Sequence, residues 1–232
     1  MSEVIAKSGL ARKIFGGLSP SYDSVLDRMT LYQDGTWKRR MLEKLPLEEG
    51  ATMLDVGCGT CVLEERFPLK GSQVIGIDIT SEMIRLAQRK RLSQVSSLGL
   101  ADAEHLPFVE ASFDLVLSCY VPKYCDTRHF VKELVRVLKP GGHLAVYDFT
   151  RPQGPFSPLL NYFEMGFMPA LGKLAAPLDA SVSFTFGALP GLIKTTTWCE
   201  EFGNALDEDG LSEVGREALT GGVVTLFWAT KR

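Results

Sequence analysis

The chain has 232 residues, enough for one well-buried domain and short for two independent ones. Apolar side chains make up 45% and charged ones 23%, an ordinary globular balance that excludes an intrinsically disordered chain. A formal net charge of −3, with no basic block longer than Arg89-Lys90-Arg91, gives no cationic face for nucleic acid, and none is expected as a partner.

Residues 1–28, with Gly16-Gly17 and Ser19-Pro20, read as an N-terminal arm. The arm holds no apolar run of signal-peptide length, and no stretch is long enough to span a bilayer. A cytoplasmic protein is therefore expected, with a peripheral membrane contact and a homodimer left open. Met29 to Lys44 predicts a helix, with Trp37, Met41, Leu42 and Leu45 at helical spacing and Pro46 ending it. From Thr52 the pattern changes to short apolar runs: Met53-Leu54-Asp55-Val56, Val74-Ile75-Gly76-Ile77, Phe113-Asp114-Leu115-Val116-Leu117 and His143-Leu144-Ala145-Val146-Tyr147. Runs of this kind predict buried strands.

Helical segments separate them. Ser81 to Lys90 puts Met83, Ile84 and Ala87 on one face, and Thr127 to Leu138 does the same with Phe130, Leu134, Val135 and Leu138. Lys139, Pro140 and Gly141-Gly142 then act as a stop. Strands alternating with helices imply a parallel sheet covered on both faces, an α/β fold. The chain is accordingly divided into an arm and helix (1–45), a core (46–150), an aromatic and Met-rich insertion (151–195) and a C-terminal helix and strands (196–232). The last of these strands is Val223-Val224-Thr225-Leu226-Phe227-Trp228.

The chemistry concentrates where the first strand runs into Gly57-Cys58-Gly59-Thr60. Glycines there let a ligand approach the backbone, and the helix that follows favours negative charge. Asp78, at the end of the second strand, has the position of a carboxylate that accepts from ribose hydroxyls. A dinucleotide site asks for a third glycine where this chain has Val62, which disfavours NAD. Cys58-x-x-Cys61 has redox spacing, but it occupies this turn and no second pair of ligands accompanies it. With five cysteines, an odd number, reduced thiols are expected and no metal.

Four stretches in order are similar to motifs of class I S-adenosylmethionine-dependent methyltransferases: Leu54-Asp55-Val56-Gly57-Cys58-Gly59-Thr60; Asp78-Ile79-Thr80-Ser81-Glu82-Met83; Asp102-Ala103-Glu104-His105-Leu106-Pro107-Phe108 with Ser112-Phe113-Asp114; and Arg136-Val137-Leu138-Lys139-Pro140-Gly141-Gly142. Outside them the chain resembles the ubiquinone/menaquinone-biosynthesis C-methyltransferase family. Tyr22-Asp23, Trp37-Lys38-Arg39, Asp148-Phe149-Thr150-Arg151-Pro152 and Leu219-Thr220-Gly221-Gly222-Val223-Val224 carry that likeness. It implies a Rossmann-like seven-stranded sheet with the last strand antiparallel, and S-adenosyl-L-methionine as cofactor. It also implies donor contacts from Asp55, Gly57, Gly59, Thr60, Asp78, Ile79, Asp102, Ala103 and Ser118.

The family has a Gly-x-Arg-Asn stretch after the fourth strand, whose arginine is implicated in catalysis. Here Pro122 stands at the arginine and Lys123 at the asparagine. Tyr22, Asp23, Lys123 and Asp148 are the candidates for the catalytic base that methylation of a hydroquinone carbon requires. Phe156, Tyr162, Phe163, Met165, Phe167, Met168, Phe184 and Phe186 suit an apolar lid, a core-packed cover or a dimer face. The expected acceptor is small or lipid-like, such as a prenylated quinone precursor. A phospholipid-headgroup or small-metabolite N/O-methyltransferase, and a non-catalytic S-adenosylmethionine-binding protein, remain as alternatives.

Overall fold

The computed structural model describes residues 2–18, 22–152, 157, 170, 180–208 and 210–232. Of the expected lid, Phe156, Tyr162, Phe163, Met165, Phe167 and Met168 lie outside the described residues, as does the side chain of Phe186. Each of the four apolar runs read from the sequence lies in a strand: β1 (Thr52–Val56), β2 (Gln73–Asp78), β4 (Phe113–Cys119) and β5 (Leu138–Phe149). Two strands have no apolar run to announce them, β3 (Val95–Leu100) and β6 (Leu211–Leu219), and both are edges of the sheet, where half the side chains face water. With β7 (Val224–Lys231) the sheet has seven strands in the order β3-β2-β1-β4-β5-β7-β6. β7 runs antiparallel to β5, with Tyr147 opposite Leu226.

The helices depart from the sequence reading at the N-terminus. The arm is itself a helix, α1 (Ser2–Leu18), without a strong apolar stripe of its own. It is held by tertiary packing: Ala11 and Ile14 are buried with Val25, Tyr124, Phe184 and Leu192. A second helix, α2 (Tyr22–Met29), also lies in the segment read as an arm, and the helix expected from Met29 to Lys44 is the shorter α3 (Asp34–Leu42). Between them Leu31 and Tyr32 take left-handed φ values of 49° and 61°, which no helix continues through. Trp37, Met41 and Leu42 still form the buried face read for this segment.

After the short α4 (Val62–Arg66), α5 (Ser81–Lys90) buries Met83, Ile84 and Ala87 as expected. α6 (Thr127–Val137) starts at Asp126, whose carboxylate accepts from the His129 amide at 3.1 Å, and buries Phe130, Val131, Leu134 and Val137. Its expected stop, Lys139 to Gly142, lies inside β5, which begins at Leu138. α7 (Ala180–Thr195) and α8 (Trp198–Glu208) follow the fifth strand. No helix among the described residues is long and apolar enough to cross a membrane.

Strand alternation distributes the core. Leu54, Val56, Val116, Leu144 and Val146 face α6 and α8 on one side of the sheet, while Met53, Leu115, Leu117, Ala145 and Tyr147 face α3, α4 and α7 on the other. Each such buried side chain contributes about 1.5–3 kcal/mol relative to leaving it exposed.

Asp114 ties the entry ends of three strands. Its Oδ2 accepts from the Thr52 hydroxyl at 2.6 Å and the Thr52 amide at 2.9 Å, and Lys139 Nζ lies 2.9 Å from both oxygens. Burial works against the charge, but the hydrogen bonds from Lys139 and Thr52 outweigh it and bring the Asp114 carboxyl from 3.8 down to about 2. A depressed carboxylate stabilises the fold above its unfolded pKa and stops doing so as pH falls through its folded one. Asp114→Asn is therefore expected to flatten the loss of stability between pH 4 and pH 2, read as the urea midpoint against pH. The change is small, because solvent screens a group this exposed.

Candidate active site

β1 ends at Val56 and the chain turns at once on Gly57, at φ +80°. A Cβ here would lie 2.2 Å from Val121 Cγ2, so only glycine fits. The amides of Gly57 and Cys58 both donate to the Ile77 carbonyl, at 2.8 and 2.9 Å, locking the turn to the end of β2. The next glycine aims the amide that grips Asp78: Gly59 N donates to Oδ2 at 3.0 Å and Thr80 N to Oδ1 at 2.8 Å. Burial raises the Asp78 carboxyl and these amides pull it back, leaving it above the usual aspartate value.

The turn and Asp78 form one wall of a cleft of about 680 Å³ beyond the carboxyl ends of β1, β2 and β4. This is the place where the strand order reverses, between β1 and β4. Of the residues expected at the donor, the cleft brings together Gly57, Gly59, Asp78, Ile79, Asp102 and Ala103, with Tyr22 beside them. The donor set fits S-adenosylmethionine. A fixed, half-buried carboxylate would suit a ribose, Ile79, Met83 and Cys125 offer apolar surface that would suit an adenine, and the glycines leave room at the turn. The position that a pyrophosphate site keeps for glycine is filled by the buried Val62 side chain.

Other expected residues stand behind the cleft rather than in its wall. Ser118 Oγ donates to the Val56 carbonyl at 2.6 Å, fastening β4 to β1 at the turn. Thr60 donates its hydroxyl to Asp23, whose other oxygen takes Lys90 at 2.9 Å. Asp23 thereby clamps α2 to the glycine loop and to α5, and lines neither cavity. Asp55 is buried beneath the loop beside Glu64. Burial and the Glu64 charge push the Asp55 carboxyl well above its usual range, and burial raises Glu64 too, since two adjacent buried carboxyls do not both ionise. Cys58 and Cys61 are buried against Ile84 and Ala87 of α5, consistent with a packing role.

A second cavity, of about 400 Å³, adjoins the first. Phe15, Tyr22, Tyr120 and Tyr124 line both, so four rings frame the place where the two meet. Burial pushes the Tyr22, Tyr120 and Tyr124 hydroxyls upward, so all three stay protonated at neutral pH. Tyr120 is braced from below: its hydroxyl donates to Asp34 Oδ1 at 2.7 Å, an oxygen that also takes Lys38 Nζ at 2.6 Å and the Tyr147 hydroxyl at 3.2 Å. Lys123 also lines the second cavity, paired at 2.6 Å with a fully buried Asp148. Phe15, Tyr120, Val121 and Tyr124 were not picked out from the sequence. The available signal was position, since Tyr120 to Tyr124 directly follow the carboxyl end of β4, where open α/β sheets bind ligands.

The strand order and the Asp78-bearing cleft define a class I methyltransferase fold with S-adenosylmethionine as the methyl donor. The chain belongs to the ubiE/COQ5 methyltransferase family, whose model matches residues 3–231. It is 29% identical to a demethylmenaquinone methyltransferase of Corynebacterium urealyticum, over 94% of this chain and 92% of that one. It is 30% identical to the ubiquinone/menaquinone biosynthesis C-methyltransferase UbiE of a Geobacter species, over 95% of each. Among solved structures, a putative methyltransferase complexed with the Trm112 activator of Haloferax volcanii shares the fold, at a TM-score of 0.61 and 21% identity, covering 93% of this chain and 96% of that one. A SAM-dependent methyltransferase from Aquifex aeolicus does so at a TM-score of 0.57 and 20% identity, covering 89% and 98%.

With Asp78 expected to receive the ribose hydroxyls, Asp78→Ala is expected to cost about 1.5–3 kcal/mol of S-adenosylmethionine affinity, measured by titration calorimetry. An unchanged dissociation constant in the folded variant would remove Asp78 from the donor site.

Proposed function

We propose that this enzyme transfers the methyl group of S-adenosylmethionine to a ring carbon of a prenylated hydroquinone, a demethylmenaquinol-like acceptor. The observation that carries the reading is the pair of adjoining cavities with different walls. One has a fixed carboxylate and a glycine turn, the other is apolar apart from Lys123, Thr185 and phenol hydroxyls, and they meet across the rings of Phe15, Tyr22, Tyr120 and Tyr124. A ring with an isoprenoid tail suits the second cavity, and the names of the Corynebacterium and Geobacter relatives support that acceptor class.

Within this reading Asp78 receives the ribose hydroxyls, Gly57 and Gly59 admit the donor to the backbone, and Asp102 with Ala103 and Ile79 borders the adenine. Asp55, Thr60 and Ser118 act from behind, holding the loop that shapes the cleft. When bound, the sulfonium supplies an already activated methyl group, so the protein's task is alignment and exclusion of water. Tyr22 and Phe15, from α2 and α1, bring the N-terminal segment 1–45 over the core 46–150 and shield the meeting point of the cavities. The segment 151–195 serves as the acceptor's lid, and 196–232 completes the sheet. The enzyme works in the cytoplasm, with a peripheral contact at the membrane that holds its acceptor, as a monomer or homodimer.

The test offers the purified protein labelled donor with demethylmenaquinol, phosphatidylethanolamine or a short polar hydroquinone at one concentration. Label is expected on a ring carbon of demethylmenaquinol, and faster turnover of the headgroup lipid or the polar analogue would contradict the acceptor.

A further inference from the structure

Lys123 is the one formally charged residue among the described residues that line the second cavity. Its side chain is 1% exposed. Nζ donates to Asp148 Oδ1 at 2.6 Å and to the Tyr120 carbonyl at 2.8 Å. An ammonium has three N–H groups, and the third has no partner among the described residues. Around Nζ stand the rings of Tyr124, Phe149 and Tyr120, with centroids at 4.5, 5.5 and 5.7 Å, and all three also line the cavity. Asp148 is fully engaged where it is: Oδ1 also accepts from the Phe149 amide at 2.6 Å, and Oδ2 from the Lys123 amide at 3.1 Å.

A buried ion pair gives little net stability, and apolar side chains of similar volume serve a core as well or better. The fold therefore does not account for a cation in an aromatic wall, whereas a ligand oxygen in the cavity does. Resting on the hydroquinone reading above, we propose that the remaining N–H of Lys123 binds the ring oxygen adjacent to the accepting carbon and holds it as an oxyanion. Asp148 fixes the ammonium without titrating the ligand, and is a positioning residue.

The electronics are consistent with that role. Burial lowers the Lys123 ammonium, against the pull of Asp148, which makes its N–H a readier hydrogen-bond donor. The neighbouring phenols, kept neutral by burial, offer no base. The hydroxyl proton leaves to water as the oxyanion forms against Lys123, and the ionised ring oxygen raises electron density at the adjacent carbon. That carbon's electron pair forms the new C–CH3 bond as the S–CH3 bond breaks with its pair onto sulfur, and the carbon's proton then leaves to water, restoring the aromatic ring. Lys123 serves throughout as a hydrogen-bond donor to the oxygen, and an acceptor offering only an ether oxygen gains no oxyanion there.

The test uses 1-naphthol, whose neutral and ionised forms absorb differently, titrated on the full chain without donor. On the wild-type protein its ionisation midpoint is expected to fall by about one pH unit from that in buffer, a tenfold change in its ionisation constant. In Lys123→Met with Asp148→Asn, which removes the cation without stranding a buried carboxylate, the shift is expected to vanish while S-adenosylhomocysteine affinity stays within a few-fold. The wild-type measurement stands whether or not the variant folds. An unshifted or raised midpoint, no binding of 1-naphthol, or an equal shift in the folded double variant would each overturn the assignment. Demethylmenaquinol turnover with an unshifted midpoint removes Lys123 alone. A lysine-dependent shift without that turnover keeps the oxyanion site and removes the quinol as its occupant.

Discussion

The turn at Gly57 is the close approach that ties the cleft to the wall of the second cavity. β1 has to leave the sheet there, and two consecutive amides converge on the Ile77 carbonyl to hold it. The space that a side chain would fill is taken by Val121, which reaches in from the loop after β4. That loop also carries Tyr120, Lys123 and Tyr124, three walls of the second cavity. A single close approach between two backbone turns therefore sets the depth of the donor cleft and the position of the acceptor wall together. Such an approach is tolerated because the φ of +80° and the missing Cβ are both glycine's.

Everything else in the site is supported from that junction. Gly59 aims its amide at Asp78 only because Gly57 has already turned the chain. Ser118 pins the end of β4 to Val56, the residue before the turn. Beneath it, the Asp34, Lys38 and Tyr147 network holds the Tyr120 hydroxyl, so the ring between the cavities is fixed at both ends. A frame held this way sets the orientation in which two ligands meet, which is what an in-line displacement on an activated methyl group asks for.

The core strands and the residues of the glycine turn and Asp78 that line the cleft were legible because they obey local rules. Buried parallel strands are unbroken apolar runs, and glycine followed by a distant aspartate has few other uses in that context. β3 and β6 escaped because edge strands need no apolar face, and Val-Ser-Ser-Leu-Gly-Leu reads as loop until β2 supplies its partner. The break between α2 and α3 was hidden because Leu31 and Tyr32 are not residues that signal a left-handed turn. α1 was read as an arm because its glycines lower helix propensity, and its packing against Val25, Tyr124 and Phe184 is what overrides it. For the site, the likeness to a family named Lys123 and Asp148, but their pairing joins residues 25 apart in sequence and appears only in the fold. Asp23 and Asp55, chosen for their chemistry, proved to be held by Thr60 with Lys90 and to lie beside Glu64, neighbours that no spacing rule points to.

The most direct test of a shared junction is Gly57→Ala, followed by titration calorimetry with S-adenosylhomocysteine and, separately, with 1-naphthol. An added methyl group must displace Val121 and adopt a disfavoured φ, a strain of roughly 1–3 kcal/mol. The account predicts that both affinities fall together, each by about tenfold or more, while the circular dichroism of the fold is kept. Donor affinity lost with acceptor affinity untouched, or both unchanged, would contradict it.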